Sequence, residues 1–131
     1  MYQWQEIRTL HLEVTSQCNA QCPMCLRNVL GGRPNPHLPI TSLSLEDVRA
    51  MFAPEFIVQL ERLYMCGNYG DPAMGRDSLE IMRYFKSLNP ALDLELFSNG
   101  SVRSEAWWAE LATVVGRARF SVDGLDDTNH L

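Results

Sequence analysis

Residues 62–98 have the sequence RLYMCGNYGDPAMGRDSLEIMRYFKSLNPALDLELFS, in which a helical pattern separates two short apolar segments. The segments Arg62–Cys66 and Leu92–Ser98 are rich in leucine and aromatic residues, which predicts buried strands. Between them, Leu79 and Met82 recur at the spacing of one helical face. Two strands joined by a helix need a crossover connection, so we expect them to be parallel.

The same alternation extends in both directions from this unit. The segments Ile7–Val14 and Ala118–Asp123 predict a first and a fourth strand. The resulting order, β-α-β-α-β-α-β, predicts an α/β fold in which helices cover a parallel sheet. The long irregular stretch Leu26–Leu43 contains two adjacent glycines and three prolines, a composition typical of a functional or mobile loop.

Local signals mark where the predicted helices begin and end. Pro54 interrupts the first helical pattern and begins another turn, and Gly116 supplies a stop for the last helix. The predicted start signals are two capping boxes and one N-cap serine, namely Ser44 with Asp47, Asp77 with Glu80, and Ser104.

The composition favours one folded domain. The chain has 131 residues, of which 46% are hydrophobic and 21% charged, with a formal net charge of -5. These values exclude a disordered tail, and the sequence has no run of about 18 apolar residues that would span a membrane. The amino terminus lacks the pattern of a secretory signal, so we expect a soluble, cytoplasmic protein without disulfides. The acidic balance argues against nucleic acid as a partner.

Three cysteines directly after the first predicted strand are candidate ligands for a metal ion or an iron-sulfur cluster. Cys18, Cys22 and Cys25 lie within eight residues, and thiolates are soft ligands suited to an iron-sulfur cluster or to zinc. A structural zinc site is normally closed by a fourth protein ligand, whereas a 4Fe-4S cluster held by three thiolates keeps one iron open. The residues leave three interpretations: a cluster, a zinc knuckle or three incidental buried thiols.

This C-x3-C-x2-C spacing resembles the signature of the radical S-adenosylmethionine (radical SAM) superfamily. The resemblance implies that Cys18, Cys22 and Cys25 ligate a 4Fe-4S cluster and that S-adenosyl-L-methionine chelates the fourth iron. Met24 stands where many members have an aromatic residue whose backbone meets the adenine. The resemblance further implies that residues 1–131 are the amino-terminal portion of the core domain, the first four βα units of a partial (βα)6 TIM-like barrel, with the later strands absent.

Polar or glycine-rich runs also follow the other three strands. Residues 66–72 resemble the Gly-Gly-Glu-Pro element of the superfamily, residues 97–100 its Thr-Asn-Gly element and residues 120–124 its Ser-Ile-Asp-Gly element. Each run alone is typical of an ordinary turn, but the carboxyl ends of parallel strands meet at one face, where ligands bind. The resemblance implies that the residues contacting the cofactor are Met24, Gly67, Asn68, Gly70, Asp71, Ser98, Asn99, Ser121 and Asp123.

The implied activity is reductive cleavage of S-adenosylmethionine to a 5'-deoxyadenosyl radical that abstracts hydrogen from a substrate. The runs at residues 66–72 and 123–129 look most like SPASM or twitch-type members, which implies a peptide or protein substrate. The resemblance also implies an electron donor such as flavodoxin or ferredoxin, and a partner chain that completes the barrel. The competing hypotheses are a non-enzymatic zinc-binding or interaction module that uses the same cysteines, and a half-barrel that binds a partner without catalysis.

Several other polar residues receive no catalytic role. Cys66 lies inside the second predicted strand, which favours a buried structural cysteine over a fourth metal ligand. His11 and Glu13 share one side of the first strand and are interpreted as packed or paired residues. His37 and His130 have no partner in the sequence that would suggest metal binding or base catalysis.

Overall fold

A four-stranded parallel sheet organises the computed structural model, which describes residues 3–122. The strands lie in the sheet in the same order as in the chain, and each neighbouring pair is parallel. The predicted α/β fold and its order of elements are confirmed. The strands are β1 (Thr9–His11), β2 (Arg62–Met65), β3 (Asp93–Ser98) and β4 (Arg117–Phe120).

Helices form the crossovers between the strands. The first crossover contains two short helices, and the second and third contain one helix each. Pro54 is the first residue of the second helix, as the sequence predicts, because proline is tolerated at this position and its fixed φ suits the first turn. The helices are α1 (Leu45–Met51), α2 (Pro54–Val58), α3 (Ser78–Leu88) and α4 (Glu105–Leu111), and single 3-10 turns cover Trp4–Glu6 and Pro72–Met74.

One face of the sheet packs against these helices and forms the core. Leu63 on β2, with Leu94 and Leu96 on β3, is fully buried and belongs to the same apolar cluster as Met82 and Phe85 of α3. Burial of each such side chain contributes about 1.5 to 3 kcal/mol relative to exposure. This face therefore holds the helices against the sheet.

The opposite face of the sheet is charged and aromatic, because strand residues alternate in direction. The carboxylate of Glu95 on β3 is fully buried between Arg62 of β2 and Arg119 of β4, and both guanidiniums donate to it. These two hydrogen bonds, with that from Arg119 the stronger influence, hold the pKa of Glu95 below its usual value. On the same face, the rings of Tyr64 and Phe97 meet edge to face with centroids 6.3 Å apart.

The first strand is shorter than the predicted segment Ile7–Val14. The Leu12 N–H still donates to the Tyr64 carbonyl at 3.1 Å. Beyond it the chain pairs with the long loop instead: the Leu43 N–H donates to the Val14 carbonyl at 2.8 Å, and the Ser16 N–H donates to the Thr41 carbonyl at 3.0 Å. The predicted loop Leu26–Leu43 thus lies with its last residues against the exit of β1. Its competing hydrogen bonds end the strand early.

The other strand bounds differ from the predicted ones by one to three residues. Strand β2 ends at Met65 and β3 begins at Asp93, whereas β4 begins at Arg117 and ends at Phe120. The last residue of the predicted fourth strand, Asp123, lies outside the described residues. Ser121 still donates its backbone N–H to the Ser98 carbonyl at 3.0 Å, so the ladder continues one hydrogen bond beyond β4.

Two of the three predicted helix starts have the predicted hydrogen bonds, and one does not. The Ser44 capping box with Asp47 and the Ser104 N-cap are both present. Asp77 precedes α3, but its side chain makes no cap hydrogen bond; its carboxylate instead accepts the Leu45 N–H at 3.1 Å. The predicted capping box at Asp77 is therefore wrong, because a tertiary contact with the start of α1 takes its acceptor.

The last helix also ends earlier than the stop signal at Gly116. Helix α4 ends at Leu111, and Val114 and Val115 follow in turns whose N–H groups donate back to the Leu111 carbonyl. Gly116 instead donates its N–H to the Leu94 carbonyl at 2.8 Å, which brings the chain into the sheet at β4.

Among residues 3–122, no helix has both the length and the apolar character that crossing a membrane requires.

We predict that Glu95→Gln lowers the free energy of unfolding by about 1 to 2 kcal/mol at neutral pH, since the amide loses the charge that pairs with two guanidiniums. The folded-state pKa of Glu95 lies below the unfolded value. Its stabilisation is therefore complete above the usual glutamate pKa and is lost as the pH falls through the folded-state value. Denaturant unfolding of both proteins at pH 7 and below about pH 4 measures the difference.

The control for this prediction is Glu61→Gln, which removes an exposed carboxylate that lies 3.7 Å from Arg8. We expect this change to alter the free energy of unfolding by less than about 0.5 kcal/mol. A Glu95→Gln deficit that stays constant down to acidic pH would contradict the ionic origin of the stabilisation.

Candidate functional site

A cavity of about 200 Å³ lies where the four strands end. The loop after β1 supplies the thiols, the loop after β2 supplies a glycine-rich wall, and the ends of β3 and β4 complete the lining. All of the site residues expected from the sequence line this cavity, except two. Those that do are Cys18, Cys22, Cys25, Gly67, Asn68, Gly70, Asp71, Ser98, Asn99 and Ser121.

The two exceptions are Met24 and Asp123. The Met24 side chain is 93% exposed and does not contribute to the cavity lining. Asp123 lies outside the described residues, as does His130. A contact between the cofactor and either Met24 or Asp123 stays a prediction.

The three clustered cysteines belong to a loop that turns back on itself. The Cys25 N–H donates to the Cys22 carbonyl at 3.1 Å, and the Asn28 N–H donates to the Cys25 carbonyl at 3.0 Å. All three thiols are half-buried. Within residues 3–122, no group of three or more His, Cys, Asp or Glu side chains is gathered tightly enough to hold a metal ion.

The surroundings of Cys18 act on its thiol in opposite directions. Burial raises the pKa of the Cys18 thiol, and a hydrogen bond from the Ala20 backbone partly offsets this effect. The nearby Asp71 also raises the pKa, while the Arg27 guanidinium lowers it. Arg27 is 7% exposed and donates to the Ser16 carbonyl, so a buried cation stands beside the start of the cysteine loop.

Asp71 links the glycine-rich loop to the end of β3. One carboxylate oxygen accepts the Ala73 N–H at 2.8 Å, and the other accepts the Ser98 hydroxyl at 2.9 Å and the Asn99 N–H at 2.8 Å. The residue is 4% exposed. A carboxylate has about four acceptor positions, so these three bonds leave little capacity for the cofactor contact that the family resemblance implies for Asp71. Through these contacts Asp71 connects the turn that follows β2 with the end of β3.

Gly67 and Gly70 are required by the close approach of the chain to itself. A Cβ on Gly67 would lie 1.9 Å from the Gly70 carbonyl oxygen, and a Cβ on Gly70 would lie 1.9 Å from the carbonyl oxygen of Thr15. Neither glycine has the left-handed φ that Gly31 and Gly100 adopt. These glycines therefore bring the backbone of the loop against the exit of β1, where it becomes a wall of the cavity.

Two residues that receive no catalytic role from the sequence form hydrogen bonds to the loop after β2, which lines the cavity. Glu13 accepts the Asn68 backbone N–H at 3.0 Å and its side-chain amide at 2.5 Å. His11 donates from Nε2 to the Cys66 carbonyl, and its ring stacks on Tyr64 with centroids 4.7 Å apart. The interpretation of His11 and Glu13 as packed or paired residues is confirmed, and their partners lie in the loop after β2.

Cys66 departs from its predicted position. It follows β2 rather than lying inside the strand, and its half-buried side chain lines the same cavity as the three clustered thiols. Burial raises the pKa of the Cys66 thiol, and the negative charges of Glu13 and Asp71 add to this effect. The prediction of a cysteine buried within the strand is wrong, since β2 ends at Met65 and the Cys66 carbonyl accepts its hydrogen bond from the His11 side chain.

Sequence reasoning also missed three further lining residues, Ala20, Tyr69 and Phe97. For Phe97 a signal was present, since its alternation with Leu96 and Ser98 predicts a side chain on the face away from the helices. Tyr69 carries no comparable signal because it lies in a loop.

Comparison with known proteins gives relatives for most of the chain. No protein-family profile matches it. Over 123 residues the chain is 27% identical to GTP 3',8-cyclase of Staphylococcus aureus strain JH9, a match that covers 93% of this chain and 36% of the cyclase. The cyclase of strain Newman matches equally. The chain therefore spans about a third of the length of these curated relatives.

Among solved structures, the chain matches the crystal structure of BtrN in complex with AdoMet and 2-DOIA. The TM-score is 0.62 at 16% sequence identity, over 86% of this chain and 44% of the BtrN chain. The fold is thus similar to that of part of BtrN. Together, the two comparisons support the resemblance to the radical SAM superfamily that the cysteine spacing indicates.

We predict that Asp71→Ala lowers the free energy of unfolding by about 3 kcal/mol, because three donors to a buried carboxylate lose their acceptor. Asp47→Ala serves as the control, since Asp47 is an exposed carboxylate that accepts from its own helix start at Ser44. We expect the control to destabilise the fold much less than Asp71→Ala, because its hydrogen bonds are local and exposed to solvent. Denaturant unfolding measures the free energy of unfolding of both variants. Equal losses of this free energy would argue against the role of Asp71 in connecting the turn after β2 with the end of β3.

Proposed function

We propose that this chain is part of a radical SAM enzyme, in which Cys18, Cys22 and Cys25 hold a 4Fe-4S cluster. The observation that carries the proposal is the joint lining of one cavity by these thiols and by the ends of β2, β3 and β4. Four separated stretches of sequence meet there. Each of them resembles, in chain order, an element of the superfamily.

The residues around the cavity fit the proposed groups by their chemistry. Three thiolates are the donor set for a 4Fe-4S cluster that keeps one iron open. The cavity of about 200 Å³ has room for more than a single metal ion. In the same cavity as the thiols, the backbone of residues 67–70 and the side chain of Ser121 offer hydrogen-bonding groups to a polar cofactor.

The chemistry that the cluster and cofactor would supply is reductive cleavage of S-adenosylmethionine to a 5'-deoxyadenosyl radical that abstracts hydrogen from a substrate. The contribution of the protein is binding, orientation and exclusion of water. Asp71 holds the ends of β2 and β3 together, and Glu13 fixes Asn68 at the wall. Tyr69 and Phe97 add apolar surface, which limits the water beside a reactive species.

The substrate and partners are proposed from the finer resemblance to SPASM and twitch-type members. We infer a peptide or protein substrate and an electron donor such as flavodoxin or ferredoxin. The names of the relatives point to small molecules, a guanine nucleotide for the cyclase and 2-DOIA in the BtrN complex. The substrate proposal therefore rests on the sequence resemblance alone.

A second candidate function follows from the position of Cys66. A fourth thiol lines the same cavity, and four thiolates would form a closed structural zinc site once the loops brought them closer together than they lie in the structure. In this alternative the chain is a zinc-binding or interaction module without catalysis. Metal content distinguishes the two candidates, since anaerobic reconstitution yields either a brown protein with about four iron and four sulfide per chain or a colourless protein with one zinc.

We predict that Cys18→Ala, Cys22→Ala and Cys25→Ala each lose the reconstituted cluster and the production of 5'-deoxyadenosine under reducing conditions, because each variant lacks one of the three thiolates proposed to hold the cluster. The measurements are iron and sulfide analysis, visible absorption and chromatography of the nucleoside product. Cys66→Ala is the matched control, a thiol of the same cavity, and should keep full iron content. Zinc bound by the wild type and lost equally from all four variants would support the zinc candidate instead.

A further inference from the structure

Asn99, at the end of β3, reaches across the cavity to one of the clustered thiols. Its side-chain nitrogen Nδ2 lies 3.8 Å from the Sγ atom of Cys18, although the two residues are 81 positions apart in sequence. The same nitrogen donates to the Asn19 side-chain oxygen at 3.0 Å. A primary amide has two N–H donors, so both contacts can be made at once.

The hydrogen bonds of Asn99 determine which end of its amide faces the sulfur. Its oxygen Oδ1 accepts both the backbone N–H of Ser101 at 2.9 Å and the Ser101 hydroxyl at 2.7 Å. Reversal of the amide would set its NH2 group against the Ser101 N–H. The donor end of the amide is therefore directed toward Cys18.

The backbone of Asn99 is held as firmly as its side chain. Its N–H donates to the buried carboxylate of Asp71, which also accepts the Ser98 hydroxyl. These hydrogen bonds fix the end of β3, so the side-chain amide of Asn99 keeps its position relative to the cysteine loop. A hydrogen bond set by supporting contacts of this kind is suited to orienting and tuning a metal ligand.

We propose that Asn99 is a positioning residue for Cys18: the N–H···S hydrogen bond from the Asn99 amide orients the Cys18 thiolate as a ligand and raises the reduction potential of the cluster. The inference rests on the proposed function and deepens it. Reduction adds negative charge that is shared with the ligating sulfurs, and a donor at sulfur stabilises that charge. This role differs from the cofactor contact that the family resemblance implies for Asn99, because here the Asn99 amide contacts the sulfur of Cys18 and not the cofactor.

We predict that Asn99→Ala shifts the reduction potential of the reconstituted cluster to more negative values, with iron content unchanged. A redox titration monitored by electron paramagnetic resonance measures the shift. Gln59→Ala is the control: Gln59 also has a primary amide that donates to backbone carbonyls, those of Trp4 and Ile7, and it does not line the cavity. The control should keep the wild-type potential.

A second variant, Ser101→Ala, tests the same inference with a smaller disturbance. It removes one of the two donors that orient the Asn99 amide, so we expect a smaller shift in the same direction. Equal potentials in the wild type, Asn99→Ala and Ser101→Ala would overturn the inference and leave the proposed function standing. A wild-type chain that assembles no cluster would instead overturn the proposed function, and the inference with it.

Discussion

The carboxylate of Asp71 is the contact on which the arrangement of the site depends. It is buried and accepts three hydrogen bonds, one from the turn that follows the glycine-rich loop and two from the end of β3. Hydrogen bonds to a buried charge are stronger than those between neutral groups and costly to break. Through these bonds the same carboxylate holds both the turn after the glycine-rich loop and the backbone of Asn99. The loop that lines the cavity and the end of β3 are therefore fixed relative to each other.

The sheet supplies the frame for this anchor because its two faces have different chemistry. Leu94 and Leu96 bury one face against α3, while Glu95 and Phe97 lie on the other. A carboxylate without charged partners would be too costly to bury there, and Arg62 and Arg119 provide them from the neighbouring strands. Parallel strands end at a common edge, so this frame brings the loops that follow β1, β2 and β3 to one cavity.

The accuracy of the sequence-based predictions depends on the range of the interaction involved. The Ser44 capping box was predictable because both partners lie within one helical turn. Asp77 has the same local pattern, yet its carboxylate serves Leu45, a residue 32 positions away. The first strand likewise ends early because the backbone at Val14 and Ser16 finds partners in the long loop. No periodicity in a short window reports such contacts.

The order of helices and strands, the parallel sheet and the spacing of Cys18, Cys22 and Cys25 follow from the amino-acid sequence, because burial patterns and crossover connections act along the chain. The partners of the polar side chains come from packing. Glu13 meets Asn68 across 55 positions and Asn99 meets Cys18 across 81. Such pairs form only when folding brings distant segments within hydrogen-bond distance, and for that reason the arrangement of the site had to be learned from the folded chain.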